Sequence, residues 1–161
     1  MSNLTIRPAE PSDIPQILQF VHELAVYEKE PDAVEATEDD MQRALFGDGA
    51  NVFGLIAELD ATPVGFAVYF FNFSTWLGRN GIYLEDLYVR PETRGNGVGK
   101  ALLQELAKIA VAKNCGRVEW SVRNWNEPAI QFYRSIGAGP QDEWTVYRLT
   151  GEALQSFAAC S

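Results

Sequence analysis

Ile82-Tyr83-Leu84-Glu85-Asp86-Leu87-Tyr88-Val89-Arg90-Pro91-Glu92-Thr93-Arg94-Gly95-Asn96-Gly97-Val98-Gly99-Lys100 is the stretch that decides the fold. Its first eight residues, Ile82 to Val89, are rich in β-branched and aromatic side chains and predict a strand. Pro91 stops it. Val98, Leu102, Leu103, Leu106, Ile109 and Ala110 then recur at helical spacing, which predicts a helix from Val98 to Lys113. Between them lie glycines at 95, 97 and 99. Glycine permits positive φ and lets a backbone approach an anion closely. Free N–H groups and the dipole at the helix start favour phosphate there, and Arg94 and Lys100 add positive charge.

Two common phosphate-binding patterns do not fit this loop. A dinucleotide fold places Gly-x-Gly-x-x-Gly after its first strand, whereas these glycines alternate and sit past mid-chain. A P-loop needs Ser or Thr after Gly-Lys; here Ala101 follows Gly99-Lys100.

Outward from the loop, Leu4 to Arg7 predicts a first strand. Ser12-Asp13-Ile14-Pro15 predicts a helix start with a capping hydroxyl or carboxylate and a first-turn proline. Its apolar face is Ile14, Ile17, Leu18, Val21, Leu24 and Ala25. Thr37 and Asp40 form a capping-box pattern for a second helix ended by Gly47. Val52–Leu59 and Val64–Phe73 predict a hairpin across Asp60-Ala61-Thr62-Pro63. Strands are expected at Arg117–Val122 and Glu143–Leu149, and helices at Glu127–Ser135 and Gly151–Ala159. The expectation is a single domain over residues 1–161, of mixed α/β class. Its front half is antiparallel and its back half is strand–helix–strand–helix.

Composition narrows the classes. The 161 residues are 47% hydrophobic and 22% charged, ordinary for a globular chain. No apolar run approaches the ~18 residues of a membrane span, and no signal-peptide pattern opens the chain. Two cysteines, Cys115 and Cys160, without a signal point to a reducing compartment with no disulfide. With one histidine they make no zinc site, and no metal is expected. Residues 1–60 carry 13 acidic and 3 basic residues, hence 3 − 13 = −10; the rest carry 9 acidic and 10 basic, hence +1. That acidic third is either a solubilising surface or a field for a cationic substrate. No basic stripe suggests nucleic acid, and His22, the only histidine, lies off the apolar helix face, so no Ser/His/Asp triad is expected.

Three blocks carry a resemblance. Arg94-x-x-Gly97-x-Gly99 after a strand is similar to the signature of the GNAT superfamily of acetyltransferases. Tyr83 to Val89 resembles the strand before that loop in spermidine/spermine acetyltransferases, and Trp125-Asn126-Glu127-Pro128-Ala129-Ile130-Gln131-Phe132-Tyr133 resembles their Trp-Asn-Glu-Pro…Phe-Tyr segment. The polyamine enzymes carry Asp-Pro before the tryptophan, where this chain has Ser74-Thr75-Trp76. That triplet and Gly151-Glu152-Ala153 resemble the thialysine N-acetyltransferase branch instead.

The resemblance implies a GNAT fold, a mostly antiparallel mixed sheet flanked by helices. It implies acetyl transfer from acetyl-CoA to a small cationic amine, lysine-like or a short diamine, in a ternary complex. It places the pantetheine arm on Leu87, Tyr88 and Val89, and the pyrophosphate on Arg94, Gly95, Asn96, Gly97, Val98, Gly99 and Lys100. Asn126 would also contact the cofactor. Glu85 would be the base, acting through water, or a partner for the substrate's charge. Tyr133 would protonate the leaving thiolate. Tyr27, Glu28, Glu85 and Trp76 would bind the amine. A homodimer follows from the same resemblance, while the composition read above points to a cytoplasmic protein without nucleic-acid or membrane partners. Acetylation of protein or antibiotic amines, or a non-catalytic acyl-CoA sensor, are the alternatives.

Overall fold

The computed structural model describes residues 3–160. The chain divides into two compact units, one ending at Ser121 and one beginning at Val122.

The first unit is built on a five-stranded sheet in sequential order, β1 to β5. The strands are β1 (Leu4–Pro8), β2 (Val52–Leu59), β3 (Thr62–Ser74), β4 (Arg79–Val89) and β5 (Val118–Glu119). The first three junctions are antiparallel and β4 pairs β5 in parallel. This is the mixed, mostly antiparallel sheet expected from the sequence. The β2–β3 turn needs only Asp60 and Ala61, both at positive φ (51° and 67°). Paired positive φ gives the twist that a two-residue hairpin requires.

Helix α1 (Ile14–Tyr27) and helix α2 (Glu38–Phe46) cover one face. Ile17, Phe20, Leu24 and Leu45 pack there against Ile56, Phe66 and Tyr88. Phe20 and Phe66 stack with centroids 5.5 Å apart. Phe20 is fully buried and belongs to the helix's inner stripe, while the expected Leu18 and Val21 are only half-buried. The Thr37–Asp40 capping box is present, with each side chain accepting from the other residue's backbone N–H. Asp13 does not cap α1. Its carboxylate instead accepts from Arg7 Nη1 at 2.7 Å, Arg7 Nη2 at 2.9 Å and the Glu10 backbone N–H at 2.7 Å. A bidentate guanidinium outcompetes a single helix N–H, so Asp13 ties β1 to the start of α1.

Helix α3 (Val98–Ala112) covers the opposite face, burying Val98, Leu102, Leu103, Leu106 and Ala110. It ends one residue before the expected Lys113. β5 is shorter than the expected Arg117–Val122, pairing only at Ile82↔Val118 and Tyr83↔Glu119. The reason lies on β4. Val68 opposes Asp86 while Tyr69 opposes Leu84, so Glu85 is an extra residue in a β-bulge. A bulge bends its strand and raises local twist, which carries β4 out of line with β5 beyond Tyr83.

The second unit contains α4 (Glu127–Ser135) and α5 (Gly151–Ala158). Glu143–Leu149 is not a strand. These residues pair with no strand among the described residues, and Trp144, Val146, Tyr147 and Leu149 are exposed. A strand exists only through its ladder, so strand-like composition alone could not make one here.

Candidate active site

The bulge decides where the carboxylates of β4 go. Strict alternation would put Glu85 and Asp86 on opposite faces, but the extra residue resets the count. Tyr83 packs its ring 5.3 Å from Phe70, and Phe66 and Val68, which alternate with Phe70, pack with the α1 cluster. Asp86 opposes Val68 and so shares that face with Tyr83. Glu85 sits exposed at the bulge.

Asp86, to which the sequence pattern assigns no role, is the carboxyl most perturbed upward in this structure. Burial raises its carboxyl, and the nearby charges of Glu85 and Glu28 raise it further, to about 6. Desolvation and like charge both oppose ionisation. Glu28 follows the last residue of α1, so the tip of the first helix and the bulge of β4 converge on one acidic cluster. The two neighbouring charges that act most on the Asp86 carboxyl, those of Glu85 and Glu28, are both negative. A half-buried carboxyl crowded by two others and raised to about 6 is a candidate for a functional place.

The loop after β4 is framed by a second set of contacts. Glu23 of α1 accepts from Tyr88 Oη at 3.0 Å and pairs with Arg90 at 3.4 Å. Burial pushes Glu23 up, but hydrogen bonds from Gln19, Arg90 and Tyr88 outweigh it and hold the carboxyl below its usual range. Burial, reinforced by Glu23, pushes the Tyr88 hydroxyl up to about 12, so it stays a donor. The guanidinium of Arg90 also lies 4.9 Å from the Phe20 ring centroid. Asn96 Nδ2 donates to Thr93 O at 2.7 Å, and Gly95 and Gly97 adopt φ of 91° and 76°.

Gly97 caps α3, and the first helical bond runs from Ala101 N–H to its carbonyl. The N–H groups of Val98, Gly99 and Lys100 therefore precede any helical acceptor. Gly99 adopts no positive φ, and a Cβ there would meet Val89 Cγ2 at 3.8 Å and Leu87 Cδ2 at 4.0 Å, ordinary contacts. Nothing within the fold demands glycine at 99. The space its missing side chain leaves suits a close-approaching anion. Beyond Tyr83, β4 has β3 on one side and no strand on the other among the described residues. That leaves the backbone edge of Leu87, Tyr88 and Val89 open to an extended amide-bearing arm.

The remaining expected residues are distributed as follows. The Arg94 guanidinium lies 5.0 Å from the Tyr27 ring centroid. Trp76 is 82% exposed at the β3–β4 turn. Lys100 is exposed on the first turn of α3. In the second unit, Asn126 caps α4 by accepting from Ala129 N–H, and Tyr133 rests against Phe132 with centroids 6.0 Å apart. His22 is exposed, and both cysteines are free thiols.

The profile of the acetyltransferase (GNAT) family matches residues 17–138, most of the chain and the whole strand–loop–helix. The chain belongs to the GNAT acetyltransferases. It is therefore an enzyme of acyl transfer, and the family's donor is acetyl-CoA. The GNAT chain is 37% identical to thialysine N-epsilon-acetyltransferase of Sus scrofa, covering 98% of this chain and 99% of that one. It is 33% identical to an L-ornithine N5-acetyltransferase of Arabidopsis thaliana, over 94% and 86% respectively. Among solved structures, an integron cassette protein from the mobile metagenome of V. cholerae superposes with a TM-score of 0.82 at 30% identity, covering 98% of both chains. No group of three metal-ligating side chains gathers among the described residues, and none of their helices is long and apolar enough to cross a membrane.

Proposed function

We propose that this GNAT enzyme transfers acetyl from acetyl-CoA to a primary amine of a small cationic acceptor, lysine-like in the manner of thialysine or a short diamine. The observation that carries the reading is Asp86, half-neutralised near pH 6 by burial and by Glu85 and Glu28 on the strand that leads into the glycine loop. A cationic ligand relieves that crowding, and a neutral one does not. Relatives named for thialysine and ornithine acetylation support an amino-acid-sized cation.

Acetyl-CoA supplies the activated acetyl thioester. The open edge of Leu87, Tyr88 and Val89 holds the pantetheine arm, and the N–H groups from Gly95 to Lys100, with Arg94 and Lys100, hold the pyrophosphate. Asn126 contacts the cofactor as in the resembling family. Glu28 and Asp86 hold the acceptor's positive charge, with Tyr27 and Trp76 as aromatic walls. An amine of pKa near ~10 is almost wholly protonated at neutral pH, so Glu85 removes a proton to free the lone pair. Tyr133 returns a proton to the departing thiolate.

The chain acts as one GNAT domain, since the family match runs across both units. The exposed apolar run Trp144, Val146, Tyr147 and Leu149 supports a homodimer, in which such a run gains a partner. Two free thiols support a cytoplasmic location.

The test is a panel of kcat/KM values with acetyl-CoA against thialysine, 1,3-diaminopropane, spermidine, lysine peptides and an aminoglycoside. Thialysine or the diamine should lead by at least tenfold. Superior rates on peptides or the aminoglycoside would reject the small-amine reading. Binding of CoA with no turnover of any amine would make the protein a sensor.

A further inference from the structure

The end of α1 touches the β4–loop segment at two points, four residues apart on each. Glu23 meets Arg90, and Tyr27 meets Arg94. The first contact is a frame. Glu23 is held by Tyr88, Arg90 and Gln19, and the Arg90 guanidinium also donates to Pro63 O at 3.5 Å. The second is softer. Tyr27 is 37% exposed, and its partner Arg94 is exposed too and leads into Gly95 and Gly97, both at positive φ. Yet the second contact joins the two substrate sites. Arg94 belongs to the loop that faces the donor's pyrophosphate, and its charge also reaches Tyr88. Tyr27 is followed directly by Glu28, whose charge acts on Asp86.

Resting on the acetyl-transfer reading above, we propose that the Tyr27–Arg94 contact couples the two substrates, so that the amine binds more tightly once the donor is bound. One physical effect sets this sign. A guanidinium held by pyrophosphate fixes the ring stacked on it, and with the ring the last turn of α1 and Glu28. The amine then meets an ordered Glu28 and no longer has to order it. Linkage makes the coupling reciprocal: the amine tightens donor binding by the same factor. Tyr27 is thus a positioning residue for Glu28 as well as a wall of the acceptor site.

The experiment is isothermal titration of thialysine into the protein with and without saturating coenzyme A, which has no acetyl group to transfer. The coupling factor is the ratio of the two dissociation constants. In the unsubstituted protein it should be at least about fivefold. Tyr27→Phe keeps the ring and should keep the factor. Tyr27→Leu should bring it to near one, even where thialysine binding weakens overall, because a purely direct contact changes both constants equally. Arg94→Lys keeps the charge but loses the planar stack. It should lower the factor below about twofold with coenzyme A affinity reduced far less, and it serves if Tyr27→Leu does not fold. An unchanged factor in both Tyr27→Leu and Arg94→Lys would overturn the coupling and leave the acetyl-transfer reading intact. So would a factor of one or less in the unsubstituted protein, which would mean that pyrophosphate draws Arg94 off the ring. Failure of that protein to bind either ligand would overturn both.

Discussion

Asp13 and Asp86 are the same residue type in the first unit, one buried and one half-buried, and their environments push them in opposite directions. Asp13 accepts two hydrogen bonds from Arg7 and one from the Glu10 backbone, and its carboxyl lies below the usual range chiefly because of Arg7. Asp86 is surrounded by other carboxylates and lies at about 6. The first aspartate serves the fold and the second strains it. A carboxyl raised by burial and like charge is a candidate for a place where an external cation binds. The pair therefore contrasts a carboxylate held by the fold's own cation with one proposed to meet a cation from outside.

The largest expected effect breaks the comparison on its functional side. Asp86→Asn should lower kcat/KM for thialysine by at least about tenfold, on the scale of a lost charge-assisted contact, while leaving coenzyme A affinity unchanged in a direct titration. Next is stability on the other side. Asp13→Asn leaves Arg7 with Glu58 and the Pro8 carbonyl and should cost about 2–3 kcal/mol in urea unfolding at pH 7. The sign of its pH dependence follows from the depressed carboxyl. Asp13 stabilises the fold above its unfolded value of 3.8 and loses that contribution as pH falls through its lower folded value. The gap between Asp13→Asn and the unsubstituted protein should therefore close below pH 4.

Asp86 has the opposite sign. Its folded value is raised, so the fold loses stability as pH rises from 3.8 to about 6, and the loss is complete above that. Asp86→Asn should raise stability by about 1–2 kcal/mol at pH 8 and by almost nothing at pH 4. Inactivation together with stabilisation at pH 8 would be the signature of a strained binding acid; loss of both would make Asp86 an ordinary packing residue. The smallest effect concerns the acidic first third, with its arithmetic charge of 3 − 13 = −10. Raising ionic strength from 0.05 to 0.5 M should reduce kcat/KM for thialysine by roughly twofold to fivefold through screened steering.

The strand, glycine loop and helix from Ile82 to Ala112 were legible because each rests on local chemistry. Strand-forming side chains, glycines at positive φ and a helical apolar stripe all lie within one window. The capping box at Thr37 was legible for the same reason. The acidic cluster was legible only in part. Glu28 and Glu85 could be marked by resemblance, but the raised carboxyl of Asp86 arises from a tertiary meeting of α1 with β4 and from a bulge that resets alternation. The Arg7–Asp13 pair was hidden because a capping reading competed for the same aspartate. The expected strand at Glu143–Leu149 failed because apolar, β-branched composition states a tendency to pair and names no partner.

The most direct test of the acidic cluster as the acceptor's cation site is proton release on thialysine binding. The titration is run at pH 6 in two buffers of different ionisation enthalpy. An amine cation beside Asp86 forces it to ionise, so the unsubstituted protein should release about half a proton per thialysine bound, and Asp86→Asn should release none. Equal proton release from both proteins, or none from either, would contradict the assignment of this cluster as the place where the acceptor's charge is held.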